Sequence, residues 1–188
     1  MSQPSTASGP WLVAIDLQHV FADPASPWGA ERFAQAAAAI ERLAPAFGDR
    51  IVRTRWVAPA EPRGAWAPYF ELWPFALTPP EHPQFDLVPP FDAMPGPVET
   101  RETFGKWDAG LAAAIDGAAE IVLVGVATDC CVLSTALAAA DAGVHVRVAV
   151  DGCAGASDAD HERALAAMAL YAPLIDLTTV DEVLATLA

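Results

Sequence analysis

Lysine is nearly missing from this chain. Lys106 stands alone beside nine arginines, against 24 acidic residues, and the net charge is −14. Phosphate recognition needs clustered Lys and Arg, so no nucleic-acid partner is expected and the acidity reads as solubility. Cysteine is scarce too. Cys130, Cys131 and Cys153 form an odd set with two sequence neighbours, a poor disulfide framework. No CxxC pair or Cys/His cluster suggests zinc. Reduced thiols fit a cytoplasmic location. No apolar run is long and uninterrupted enough to span a bilayer, so no membrane partner is expected. The N-terminus, MSQPSTASGP, lacks the basic region and apolar core of a signal peptide. Internal repeats and low-complexity linkers are also lacking.

What is present fits one domain over residues 1–188. Apolar residues make up 54% of the chain, enough for a substantial core. Strand-like and helix-like segments alternate. Strands are predicted at 11–15, 51–54, 98–101, 121–126, 144–150 and 174–177. Helices are predicted at 30–47, 108–115, 129–142, 160–171 and 180–187. Residues 57–97 differ, with eleven of the seventeen prolines plus Trp66, Tyr69, Phe70, Trp73 and Phe75. Proline at that density excludes long helices and central strands. This segment reads as an excursion from the core, a pocket wall or subunit contact. Alternating buried strands and helices imply a three-layer α/β/α fold with a mainly parallel sheet. Ligands in such sheets bind beyond the carboxyl ends of the strands. Those ends carry Asp16, Thr54 to Trp56, the surroundings of Arg101, the 126–131 turn and Asp151.

The most informative segment is Gly125 to Ala136, GVATDCCVLSTA. An apolar strand stops, a tight polar turn follows and a helix starts, with Thr128 or Asp129 as its cap. Both cysteines then lie in a first helical turn, where unpaired amides and the helix dipole favour an anion. A thiolate there should have a lowered pKa. The same amides could hold an oxyanion. Local physics does not choose between Cys130 and Cys131, nor does it exclude that both are small buried hydrophobes.

This segment resembles the motif of isochorismatase-like hydrolases, G-V-A-T-D-x-C-V followed by x-x-T-A. The resemblance makes Cys131 the nucleophile and puts Cys130 at a variable position. It also implies a cis peptide at Val126–Ala127 and an oxyanion hole formed by the amides of Ala127 and Cys131. The family's D-x-Q-x-x-F after the first strand is matched by Asp16, Gln18 and Phe21. Asp16 would take the thiol proton and later activate water, and Phe21 would line the pocket. Alone, Asp16 could equally be a turn cap. The family triad ends with a lysine at the close of a middle strand. In PVETRETFGKWDAGL, distance to the following helix puts that position on Arg101, with Lys106 as the alternative. Arginine supplies charge but does not readily exchange a proton.

The resemblance covers about residues 11–178 and is nearly absent over 57–96. Trp56, Trp66, Tyr69, Trp73, Phe104 and Trp107 are candidates for the pocket wall, or for ordinary core and dimer contacts. Nicotinamidases of the superfamily carry D-x-H after the second strand. RTRWVAPAEPRG has neither residue, so no metal and no other cofactor are expected. The resemblance thus implies a metal-free hydrolase of small amide, carbamoyl or ureido substrates, working as a homodimer or higher homo-oligomer. Three alternatives stand beside it: vinyl-ether hydrolysis of the isochorismatase type, a catalytically weak protein binding a small ligand or partner, and a redox sensor using the paired cysteines.

Overall fold

A computed structural model describes residues 9–188; positions 1–8 of the stretch read above as lacking a signal peptide lie outside the described residues. Six strands form one sheet: Trp11–Ile15 (β1), Ile51–Trp56 (β2), Val98–Arg101 (β3), Glu120–Val126 (β4), His145–Ala154 (β5) and Ile175–Thr178 (β6). Every pairing is parallel, in the order β3-β2-β1-β4-β5-β6. The chain winds outward from β1 in one direction and from β4 in the other, so the order reverses between these two central strands. Their carboxyl ends form the crevice where such sheets bind ligands.

Strand alternation divides the core in two. Leu12 and Ala14 of β1 join Val122, Val124 and Val126 of β4 on one face. Val13, Ile15, Ile121 and Leu123 look to the other. The first face is covered by His19–Ala22 (α1), Phe33–Leu43 (α2) and Val180–Leu187 (α7), through Val20, Phe21, Phe33, Ile40, Leu43, Val180 and Val183. The second is covered by Ala109–Ala114 (α4), Leu133–Asp141 (α5) and Asp158–Ala169 (α6), through Leu111, Ala136, Ala139 and Met168. The result is the three-layer α/β/α fold read from the alternation. No helix of the described residues is long and apolar enough to cross a membrane.

Three local differences bear on the site. The single helix expected at 129–142 is a wide turn over Thr128–Val132 followed by α5, because the Ala127 carbonyl accepts from both the Cys130 and the Val132 amides at 3.1 Å. Neither Thr128 nor Asp129 caps it with a side chain: the Thr128 hydroxyl meets His161 Nδ1 at 2.8 Å, and Asp129 Oδ1 accepts from the Ala156 amide at 2.9 Å. β5 continues past Val150 to Ala154, after a register shift opposite Leu123 and Gly125. Residues 57–97 do not leave the core. They contain Trp66–Leu72 (α3) and short tight turns, and bury Phe70, Phe85 and Phe91 in the first cluster. The Arg53 guanidinium holds this segment on β2 by donating to the carbonyls of Phe91, Asp92 and Gly96.

Candidate active site

At the end of β1 the chain turns sharply. Asp16 takes φ 50°, a left-handed conformation uncommon outside glycine. The neighbouring strand end comes very close: a Cβ on Gly125, at φ 115°, would stand 2.1 Å from the Ile15 carbonyl oxygen. Glycine is therefore required there, and its absence of side chain lets β4 deliver the 126–131 turn beside Asp16. The Asp16 amide donates to the Thr54 carbonyl and hydroxyl, each at 3.2 Å. In return the Thr54 hydroxyl donates to Asp16 Oδ1 at 2.6 Å. Gln18 fixes the next stretch, donating to the carbonyls of Trp56 and Phe85 and accepting from the Trp56 amide.

Lys106 supplies the cation. Its Nζ lies 2.9 Å from Asp16 Oδ2, and both side chains are wholly removed from solvent. The approach is an ion contact outside hydrogen-bond geometry at Oδ2. Nζ also donates to the Thr103 carbonyl at 2.8 Å. A buried charge left without its partner is strongly destabilising, so this pair must stay intact. Thr135 ties the pieces together: it accepts from the Lys106 amide at 3.0 Å and donates to the Cys131 carbonyl at 2.6 Å.

Arg101, the residue preferred for this position from its distance to the next helix, is elsewhere. Its guanidinium grips Asp108 at 2.7 and 2.8 Å and Glu99 at 2.9 Å. β3 is an edge strand with acidic neighbours on that side, while the loop after it doubles back and carries Lys106 inward. Counting residues along the chain cannot register that reversal.

Cys131 is buried at the same point, within the influence of both charges. Its thiol is pushed well above the ordinary value, first by burial, then by the Asp16 charge, with Lys106 acting in the opposite direction. This corrects the lowered pKa expected from a helix start. The turn is wide, and burial and the Asp16 charge set the direction. The resting thiol is protonated, with a carboxylate beside it as the natural acceptor of its proton. Cys130 is half-buried, bonds to Asp129 at 3.6 Å and is pushed up to about 11. Cys153 is buried on β5 opposite Gly125, donating toward the Leu123 carbonyl.

Above Cys131 opens a cavity of about 370 Å³, walled by Phe21, Trp28, Trp56, Tyr69, Trp73 and Phe104. Pro27, Ala127, Asp129, Cys130 and Ala156 also line it, with Cys131 at its base. Phe21, Trp56, Tyr69, Trp73 and Phe104 are wall residues that the sequence points to. Trp107, expected with them, packs instead against the second core cluster. Trp66 backs the wall, 5.3 Å from Tyr69 and 5.1 Å from Phe104 between ring centres. Trp28 was not singled out. It lies in a loop without periodicity, yet packs within 5.2 Å of Trp56. Thr54 sat in a strand end the sequence marked, but its bond to Asp16 is a contact between strands with no local signal.

The Val126–Ala127 peptide is cis, with Val126 buried at the end of β4 and Ala127 at the cavity. Among the described residues, the Ala127 amide has no hydrogen-bond acceptor. Among the same residues, no three His, Cys, Asp or Glu side chains group to hold a metal ion. The end of β2, where metal ligands would stand, offers Arg55 and Trp56, neither of which suits a metal ion.

A family model described as the isochorismatase domain matches residues 10–181. No curated protein sequence matches. Among solved structures, a cysteine hydrolase from Pseudomonas syringae pv. phaseolicola superimposes with a TM-score of 0.79 at 16% identity, over 99% of this chain and 98% of that one. An isochorismatase-like hydrolase from Alkaliphilus metalliredigens gives 0.75 at 18%, over 94% and 97%. A nicotinamidase from Bacillus subtilis gives 0.70 at 21%, over 90% and 98%. At these identities the likeness is one of fold.

Proposed function

This chain belongs to the isochorismatase family, and on that premise we propose that it is a cysteine hydrolase of a small amide, carbamoyl or ureido C–N bond. The observation that carries the proposal is the burial of Cys131, Asp16 and Lys106 together beneath an open cavity at the sheet's switch point. A carboxylate and an ammonium wholly removed from water are costly to maintain. Their position against a thiol gives them a chemical use.

As substrate binds, Asp16 accepts the Cys131 proton and sulfur bonds to the carbonyl carbon. The carbonyl oxygen gains the charge and receives hydrogen bonds from the Ala127 and Cys131 amides. Protonated Asp16 returns the proton to the departing nitrogen, the C–N bond breaks, and ammonia or an amine leaves a thioester on Cys131. Asp16 then takes a proton from water, whose oxygen attacks the thioester. The C–S bond breaks, acid is released, and the sulfur recovers its proton. Lys106, 2.9 Å from Asp16 Oδ2, offsets the negative charge as it passes between carboxylate and sulfur.

The test is ammonia release from a panel of primary amides and ureides. Wild type and Cys130→Ala should release ammonia and Cys131→Ala should not. Equal activity in Cys131→Ala would overturn the proposal.

A further inference from the structure

The cavity above Cys131 is unusual in what it can offer a substrate. Six aromatic side chains form the wall, and Asp129 is the one charged side chain among its lining residues. The Asp129 carboxylate already accepts from the Ala156 amide and the Cys130 thiol. Tyr69 is held protonated, its phenol pushed up to about 12 by burial and the nearby cysteines.

Among the described residues around the cavity, no positive charge is free to meet an anion. Lys106 is sealed under the sulfur and committed to Asp16 and the Thr103 carbonyl. The arginines on the flanking strands are committed too. Arg53 holds three backbone carbonyls, Arg55 donates to the Pro80 carbonyl at 2.9 Å, and Arg101 is clamped by Asp108 and Glu99. Arg32, across the sheet end, pairs with Asp158. A carboxylate entering this space would lose its water and gain no cation as partner, while facing Asp129. An uncharged aromatic body would instead meet ring faces and edges at the separations such rings prefer.

Size narrows the class further. At roughly 30 Å³ per water position, a cavity of about 370 Å³ holds about a dozen such positions. A single-ring amide would leave much of it unfilled. Two fused rings with a short arm to the reacting carbonyl would occupy more of it and touch more of the aromatic wall.

We infer that this cavity selects uncharged carboxamides carrying an aromatic body of about two fused rings, and rejects bodies that carry a carboxylate. The inference rests on the hydrolase reading above, and binding can be measured apart from turnover. The probes are 2-naphthylacetamide, its 6-carboxy analogue, its 6-trimethylammonium analogue and benzamide. Binding is measured by calorimetry on Cys131→Ala, and ammonia release on wild type.

2-Naphthylacetamide should bind at least ~100-fold more tightly than the carboxy analogue, given the cost of burying an unpaired carboxylate. It should also bind better than benzamide. Trp73→Arg, which adds a guanidinium to the wall, should narrow the gap between neutral and carboxylate probes at least ~10-fold. A carboxy analogue binding within tenfold of the neutral probe overturns the inference. So does tighter binding of the trimethylammonium analogue, or failure of 2-naphthylacetamide to bind. The expected binding order with no turnover by wild type would leave the selectivity standing and defeat the hydrolase reading. Turnover of the carboxy analogue in preference to the neutral one would do the reverse.

Discussion

Replacing Asp16 by asparagine should make Cys131 more reactive toward an alkylating agent while abolishing turnover. The two effects have one source. The Asp16 charge and its hydrogen bonding raise the Cys131 pKa, and Lys106 lowers it. Asparagine keeps the size of the side chain and removes the negative charge, leaving the ammonium unopposed. Removing a carboxylate from direct contact favours the neighbouring thiolate, whose fraction at neutral pH should rise on the order of 100-fold. Each thiolate is then a weaker nucleophile. With a Brønsted coefficient near 0.4–0.5, the intrinsic rate falls ~10-fold. Iodoacetamide should therefore label Cys131 about 10-fold faster in Asp16→Asn than in wild type, with the adduct located by peptide mass. Turnover should fall to background, because no group remains to carry the proton to the leaving nitrogen. Slower or unchanged labelling of Cys131 in Asp16→Asn would refute the placement of the carboxylate against the thiol.

Lys106→Met should destabilise the fold by about 3–5 kcal/mol, since it leaves Asp16 buried and unpaired, whereas Arg101→Gln should cost no more than about 1 kcal/mol and leave turnover intact; urea denaturation and ammonia release check both. Stability should also fall as the solution becomes alkaline. The Cys153 thiol is pushed up to about 12 from 9.0 by burial. Below 9.0 the folded and unfolded states are both protonated. Between those values only the unfolded chain ionises, so each pH unit removes about 1.4 kcal/mol of stability. Urea midpoints measured across that window should fall in wild type and fall less steeply in Cys153→Ala. Gly125→Ala should destabilise by at least about 2 kcal/mol, because its Cβ would meet the Ile15 carbonyl; an unchanged urea midpoint would show that β1 and β4 approach less closely.

Where a feature was local in sequence, it was legible. The apolar runs of β1 and β4 and the polar residues that follow them mark the two strand ends that meet at the site. Period-two alternation in β1 distributes Leu12 and Val13 to opposite core clusters. The features that were not legible depend on the chain returning on itself. Lys106 reaches Asp16 because its amide is held by Thr135, 29 residues later, and no spacing rule contains that contact. The thiol pKa depends on burial, which the dipole argument for a helix start leaves out. Trp28 joins the cavity from a loop. The proline-rich segment looked detached because its backbone is irregular, yet Phe70, Phe85 and Phe91 are buried in the core. Aromatic content was the better guide to its position.

The central claim is that Cys131 carries the acyl group between two half-reactions. Wild-type protein mixed with 2-naphthylacetamide, quenched in acid and digested, would be measured by mass spectrometry. A naphthylacetyl mass increase confined to the peptide holding Cys130 and Cys131, retained in Cys130→Ala and lost in Cys131→Ala, is the expected result. Ammonia release without any such adduct, or an adduct that survives in Cys131→Ala, would contradict it.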